Sequence, residues 1–150
     1  MRKRVFLGLP ISPELKEKLS SWIVQNRADF PTARWIPEEN WHITVVPPWY
    51  EENAGRVSQI LEKVNLEKGA INLYFGKIQY GPDKENPRMI WLSGFSEKGA
   101  LPFLNRFAQA VGQKGRNFWL PHITIARFKN REYQNFKYKT LNVPIDYMLV

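Results

Sequence analysis

The chain has 150 residues, which suits one domain, and its 43% hydrophobic and 14% aromatic content can fill a packed core. It contains no cysteine, which excludes disulfide scaffolds, thiolate zinc sites and cysteine nucleophiles. Its 22 basic residues against 14 acidic ones leave a net charge of +8, which favours phosphate-rich partners, and no apolar run approaches the roughly 18 residues of a membrane span.

Residues 3–9, KRVFLGL, read as a strand of branched and aromatic residues. The basic start imitates a signal peptide, but the apolar run from Val5 to Leu9 is short. Pro10 follows it, and charge returns at Glu14 and Lys16. A cytoplasmic, monomeric protein without membrane attachment is expected. Ser12 has the chemistry of an N-cap, with Pro13 at the first helical position. Leu15, Leu19, Trp22 and Ile23 then mark one helix face. ARWIP reads as a short strand before a turn at Glu38 to Asn40, and WHITVVP as a strand stopped by Pro47 and Pro48. Asn53 can cap a second helix with Val57, Ile60, Leu61 and Val64 on its apolar face.

AINLYFGKIQY alternates Ile71, Leu73 and Phe75 on one face, as a half-buried strand does. GPDKENP is turn chemistry, and RMIWLSGF is another strand. Leu101, Leu104, Phe107 and Val111 mark a third helix, ended by Gly112 or Gly115. FWLPHITIARF is a strand again, and NVPIDYMLV, with Val143, Ile145, Tyr147 and Leu149 alternating, suggests a last one. Strand, helix and strand ending in His-Ile-Thr occur once by residue 46 and again by residue 126, so the chain reads as an internal duplication. Hairpin-like connections favour antiparallel pairing, hence an α+β class and a single domain over residues 1–150.

The only two histidines, His42 and His122, stand 80 positions apart in the same phrase, His-Ile-Thr followed by a β-branched residue. Strand alternation puts His42 and Thr44 on one face and Ile43 and Val45 on the other, and likewise sets His122 and Thr124 against Ile123 and Ile125. Two halves related by a pseudo-twofold can then present two imidazoles and two hydroxyls to one cleft. That set suits in-line phosphoryl transfer. One neutral histidine takes a proton from the attacking oxygen, and the protonated one gives a proton to the leaving oxygen. The threonines can donate to the non-bridging oxygens. Two histidines fall short of a zinc ligand set, so no metal is expected. The chain has neither a Gly-x-x-x-x-Gly-Lys loop nor Gly-x-Gly-x-x-Gly, so nucleotide triphosphatase and dinucleotide chemistry have no support.

These residues resemble the two-histidine phosphoesterase superfamily. The flanks RVFLGLPISPELKEKL, RWIPEENWHIT and LPHITIARF are similar to its RNA 2′,3′-cyclic phosphodiesterase branch, also called 2′-5′ RNA ligase, from Val5 to about Phe128. The resemblance implies a bilobal α+β fold, with two pseudo-symmetric antiparallel sheets facing a central cleft and helices outside. It implies hydrolysis of a 2′,3′-cyclic phosphate on RNA ends or nucleotides to a 2′-phosphate, with a weak reverse 2′-5′ ligation and no metal or other cofactor. Carried onto this chain, His42 donates the proton to the departing 3′ oxygen, His122 accepts one from water, and Thr44 and Thr124 hold the phosphate. Arg127 stands where relatives often carry an arginine. By strict alternation it points away from His122, and it reaches substrate only if the strand ends or bulges near Ala126. The basic run of Arg127, Lys129, Arg131, Lys137 and Lys139 against Glu132 favours a phosphate-facing role there.

The sequence departs from the family at VVPPWY, where Trp49 and Tyr50 can stack a base or pack a loop. It also stops at Val150 inside the expected last strand, as either a short branch of the family or a chain cut short does. Two other readings stay open. One is a non-catalytic nucleotide- or RNA-binding module. The other is the same chemistry on another cyclic phosphate or a 2′-5′ linkage.

Overall fold

The computed structural model describes residues 1–64, 72–83, 85, 87–128, 141–142 and 148–149. Strand β1 (Lys3–Leu9) leads to helix α1 (Pro13–Asn26), which begins where the Ser12 hydroxyl accepts from the Leu15 N–H at 3.2 Å. β2 (Ala33–Trp35), a 3-10 turn (Glu38–Asn40) and β3 (Ile43–Glu51) follow. Next comes α2 (Ala54–Lys63), capped by the Asn53 side chain accepting from the Arg56 N–H at 3.1 Å. β4 (Asn72–Gly81), β5 (Met89–Ser96), α3 (Ala100–Ala110) and β6 (His122–Phe128) complete the main body. Gly112 takes the left-handed conformation (φ 76°) just past α3, so it is the expected helix stop. Two short strands, β7 (Leu141–Asn142) and β8 (Met148–Leu149), pair with β4.

The fold is α+β, and among the described residues all strand pairs are antiparallel. The order is β1-β3-β6-β5-β4-β7, with β2 also on β6 and β8 also on β4. The two halves of the sheet, β1-β3 and β6-β5-β4, meet through one register pair, Ile43 opposite Ile123. Both isoleucines are fully buried. The helices cover that face: Leu15, Leu19, Trp22 and Ile23 of α1 and Leu104 of α3 join the sheet in one core. Burial of each such side chain stabilises the fold by about 1.5–3 kcal/mol. α1 meets β2 through Trp22 and Trp35, while α3 packs on β3, the strand that follows His42.

Two sequence expectations are corrected. Pro47 and Pro48 do not stop β3, which runs on to Glu51. They are exposed and fall where the β1–β3 register shifts between Trp49 and Val46, so no ladder N–H is needed there. VVPPWY is therefore strand, with Trp49 packed on the core and Tyr50 exposed. The later strand begins at His122 rather than Phe118, because the preceding residues form a connection ending in Pro121, which has no N–H. Ile71, the expected alternation over Val143, Ile145 and Tyr147, and the basic positions 129–139 lie outside the described residues.

Candidate active site

The ladder along β6 explains how the phrases come together. β2 pairs with its end, Trp35 opposite Ala126, and the Ile36 N–H donates to the Ile125 carbonyl at 2.9 Å. The chain then leaves through the turn Glu38–Asn40 and returns at Ile43 opposite Ile123. Antiparallel crossing at that pair directs His42 toward the Thr124 side and Thr44 toward the His122 side. All four side chains lie on the face opposite the buried isoleucines, and all four are half-buried.

Each imidazole is held in the same way. His42 Nδ1 donates to the Asn40 carbonyl at 2.8 Å, and His122 Nδ1 donates to the Leu120 carbonyl at 2.9 Å. A carbonyl can only accept, so the proton sits on Nδ1 in both rings and each Nε2 is left for chemistry. Each ring also rests on an aromatic side chain. Phe6 lies 4.5 Å from His42 between centroids, and Trp91 stacks on His122 at 4.0 Å and 25°. A glycine makes room each time. A Cβ on Gly8 would stand 3.0 Å from Phe6 and 3.1 Å from His42, and one on Gly81 would stand 2.4 Å from the Trp91 ring.

The phrases share a further feature. In β6 the register slips so that Ile90 faces Ala126 while Trp91 faces Thr124, leaving Ile125 as an extra residue. In β3 Leu7 faces Val46 while Gly8 faces Thr44, leaving Val45 as the extra. Both bulges follow the threonine, and both bury two successive residues, Val45 with Val46 and Ile125 with Ala126. The β6 bulge restores Arg127 to the site face: it pairs with Met89, which shares a face with Trp91, and Trp91 pairs with Thr124. The condition set by the sequence is thus met. Pro47 occupies the corresponding place in β3.

Trp119 links the halves: its Nε1 donates to the Thr44 carbonyl at 3.1 Å. Arg116 comes near through the same connection, which Asn105 clamps with two 2.8 Å hydrogen bonds to the Arg116 backbone. Burial, above all, pushes the His122 pKa below the usual imidazole range. The Leu120 carbonyl opposes this, and the charges of Arg116 and His42 add to the lowering. Burial also lowers the Arg116 pKa. Sequence reading missed Arg116, Trp91, Phe6 and Trp119, since none belongs to the repeated phrase. Among the described residues no group of three or more His, Asp or Glu side chains is placed to hold a metal ion, and no helix is long and apolar enough to cross a membrane.

The family model described as LigT like phosphoesterase matches residues 9–91. A Geobacillus stearothermophilus protein named RNA 2′,3′-cyclic phosphodiesterase is 28% identical over 139 residues, covering 84% of this chain and 42% of that protein. A Thermotoga maritima protein of the same name is 26% identical over 150 residues, covering 96% of this chain and 78% of that one. The chain therefore spans less than half the length of the first relative and over three quarters of the second. The crystal structure of Escherichia coli LigT complexed with NADP+ superposes with a TM-score of 0.71 at 18% identity, covering 100% of this chain and 84% of that one. LigT complexed with 3′-AMP gives 0.62 at 18% identity, covering 100% and 99%. A crystal structure from Thermus thermophilus gives 0.68 at 18% identity, covering 99% and 84%. These likenesses carry the fold, and with the family match they define a phosphoesterase of the two-histidine superfamily. Within it, the chain belongs to the LigT-like phosphoesterase family.

Proposed function

We propose that residues 1–150 form one domain that hydrolyses the 2′,3′-cyclic phosphate of RNA ends or nucleotides to a 2′-phosphate, by proton transfers between two histidines. The observation that carries the reading is the matched pair of imidazoles, each with Nδ1 spent on a carbonyl two residues upstream and Nε2 left over. Binding alone does not call for two titrating groups of fixed tautomer. The names of the Geobacillus and Thermotoga relatives support the substrate.

His122 is assigned as the base, a role that its lowered pKa favours because the neutral form is the one able to accept a proton. Its Nε2 takes a proton from water as the water oxygen bonds to phosphorus. The bond from phosphorus to the 3′ oxygen breaks, and His42 Nε2–H supplies the proton to that oxygen. The turnover leaves His122 protonated and His42 neutral, and exchange with solvent restores both. Thr44 and Thr124 donate to the non-bridging oxygens, and Arg127 adds positive charge where negative charge develops. With a 5′ hydroxyl in place of water, the same transfers form a bond from that oxygen to phosphorus, release the 3′ oxygen and leave a 2′-5′ linkage. No metal or ATP enters these steps.

The test is an RNA oligomer ending in a 2′,3′-cyclic phosphate, incubated with EDTA. Turnover is expected, with a 2′-phosphate product and a fall of about 10²–10⁴ in His42→Ala and in His122→Ala. Unchanged rates in both variants refute the reading. A 3′-phosphate product refutes the assignment of roles. Salt-sensitive binding without turnover supports an RNA-binding module instead.

A further inference from the structure

The site face carries a cation that the proposed reaction does not use, Arg34. Arg34 of β2 lies directly opposite Arg127 of β6. On either side, Trp35 faces Ala126 and Ala33 faces Phe128, and these four side chains pack into the core. Both guanidiniums therefore leave the sheet on the other face, the one that holds Thr124 and His122. Like charges directly opposed across a strand pair destabilise it. Both arginines are exposed, and among the described residues neither has an ion-pair partner. The opposed pair attracts an anion, and its forked donors match phosphate oxygens.

Position says which anion. Arg127 lies three residues past Thr124, one of them the bulge, so an extended arginine there can reach back to a phosphate at Thr124. Arg34 lies one strand further out, about 4.8 Å. That step is comparable with the distance between neighbouring phosphates of one nucleotide chain. We propose that Arg34 takes the phosphodiester immediately upstream of the reacting cyclic phosphate, making the site selective for oligoribonucleotides over cyclic mononucleotides. This rests on the reading of the site as a phosphodiesterase on RNA ends.

The experiment compares kcat/KM on an oligoribonucleotide ending in a 2′,3′-cyclic phosphate with kcat/KM on a 2′,3′-cyclic mononucleotide. The ratio of the two is expected to fall about tenfold in Arg34→Gln, the worth of one charge-assisted hydrogen bond, and to recover in part in Arg34→Lys. A ratio that does not move in Arg34→Gln overturns the proposal. Binding of a 3′-phosphorylated oligoribonucleotide, followed by fluorescence anisotropy against salt, is read on the same proteins. If the wild type turns over neither substrate but binds this probe in an Arg34-dependent way, the phosphodiester subsite stands and the hydrolytic reading falls. If turnover is present and both ratio and binding ignore Arg34, the hydrolytic reading stands and the subsite falls.

Discussion

The indole nitrogen of Trp119 donates a 3.1 Å hydrogen bond to the backbone carbonyl of Thr44, a residue 75 positions earlier. This bond and the pairing of Ile43 with Ile123 both join the strand of one histidine to the approach of the other. Trp119→Phe keeps most of the ring and removes the donor. Its expected cost is about 1 kcal/mol of unfolding free energy. Activity should fall by more than that loss of stability explains at temperatures where the variant is folded, because the two imidazoles lose a shared reference. Urea unfolding alongside kcat/KM checks this. A stability loss with unchanged kcat would confine Trp119 to packing.

The pH dependence follows from His122. A base, the role proposed for His122, must be neutral to act, and this imidazole is held below the ordinary value, chiefly by burial. The acidic limb of kcat/KM is therefore expected to lie below about 6.5, the unperturbed imidazole value. The Arg116 charge contributes to the lowering, so Arg116→Gln should move that limb to higher pH. The sign for stability is fixed in the same way. A depressed folded-state pKa means the unfolded chain binds the proton more readily, so stability is full above the imidazole range and falls as pH drops through it. A limb that stays in place in Arg116→Gln would count against a direct electrostatic link.

The glycines behind the aromatic rings give a different kind of test. A methyl group on Gly81 meets the Trp91 ring at 2.4 Å, too close to keep, so Gly81→Ala pushes the ring toward His122. The expected cost is about 1–3 kcal/mol of overpacking, with a fall in kcat at a position two strands away from His122. Gly8→Ala, with contacts of 3.0–3.1 Å to Phe6 and His42, should cost less stability and also reduce kcat. Thermal unfolding and single-turnover rates separate the two effects. Full activity in Gly81→Ala would mean that the stack does not position His122.

How much of this was legible beforehand depends on the distance over which each feature is encoded. The caps at Ser12 and Asn53 and the alternation of His42 with Thr44 are local, and they read correctly from a few residues. The continuation of β3 through Pro47 and Pro48 was not legible, because it depends on a register shift against β1, a partner some forty residues away. The stacking of Trp91 on His122 and the bond from Trp119 to Thr44 are contacts of tertiary structure, and no spacing in the chain announces them. Arg127 lies between these cases. Alternation pointed it away from the site, and only the pairing of Trp91 with Thr124 beside that of Ile90 with Ala126 reveals the extra residue that turns it back.

That turn makes Arg127 the most discriminating position for mutation. In its proposed role as a charge-assisted donor to the substrate phosphate it is worth about 1.5–3 kcal/mol, so Arg127→Gln is expected to lower kcat/KM by roughly 10- to 100-fold. As one of two arginines opposed across β2 and β6 it also repels Arg34, so the same substitution should raise unfolding free energy by about 0.2–1 kcal/mol at low salt, an effect that fades as salt is added. The two effects have opposite signs, which a packing residue cannot produce: loss of a core contact lowers activity and stability together. Guanidinium is unsuitable for the stability measurement because it is itself a screening salt, so urea unfolding at two salt concentrations, set beside steady-state kinetics, is the appropriate pair. Activity and stability falling in parallel would return Arg127 to the role of an ordinary strand-end residue.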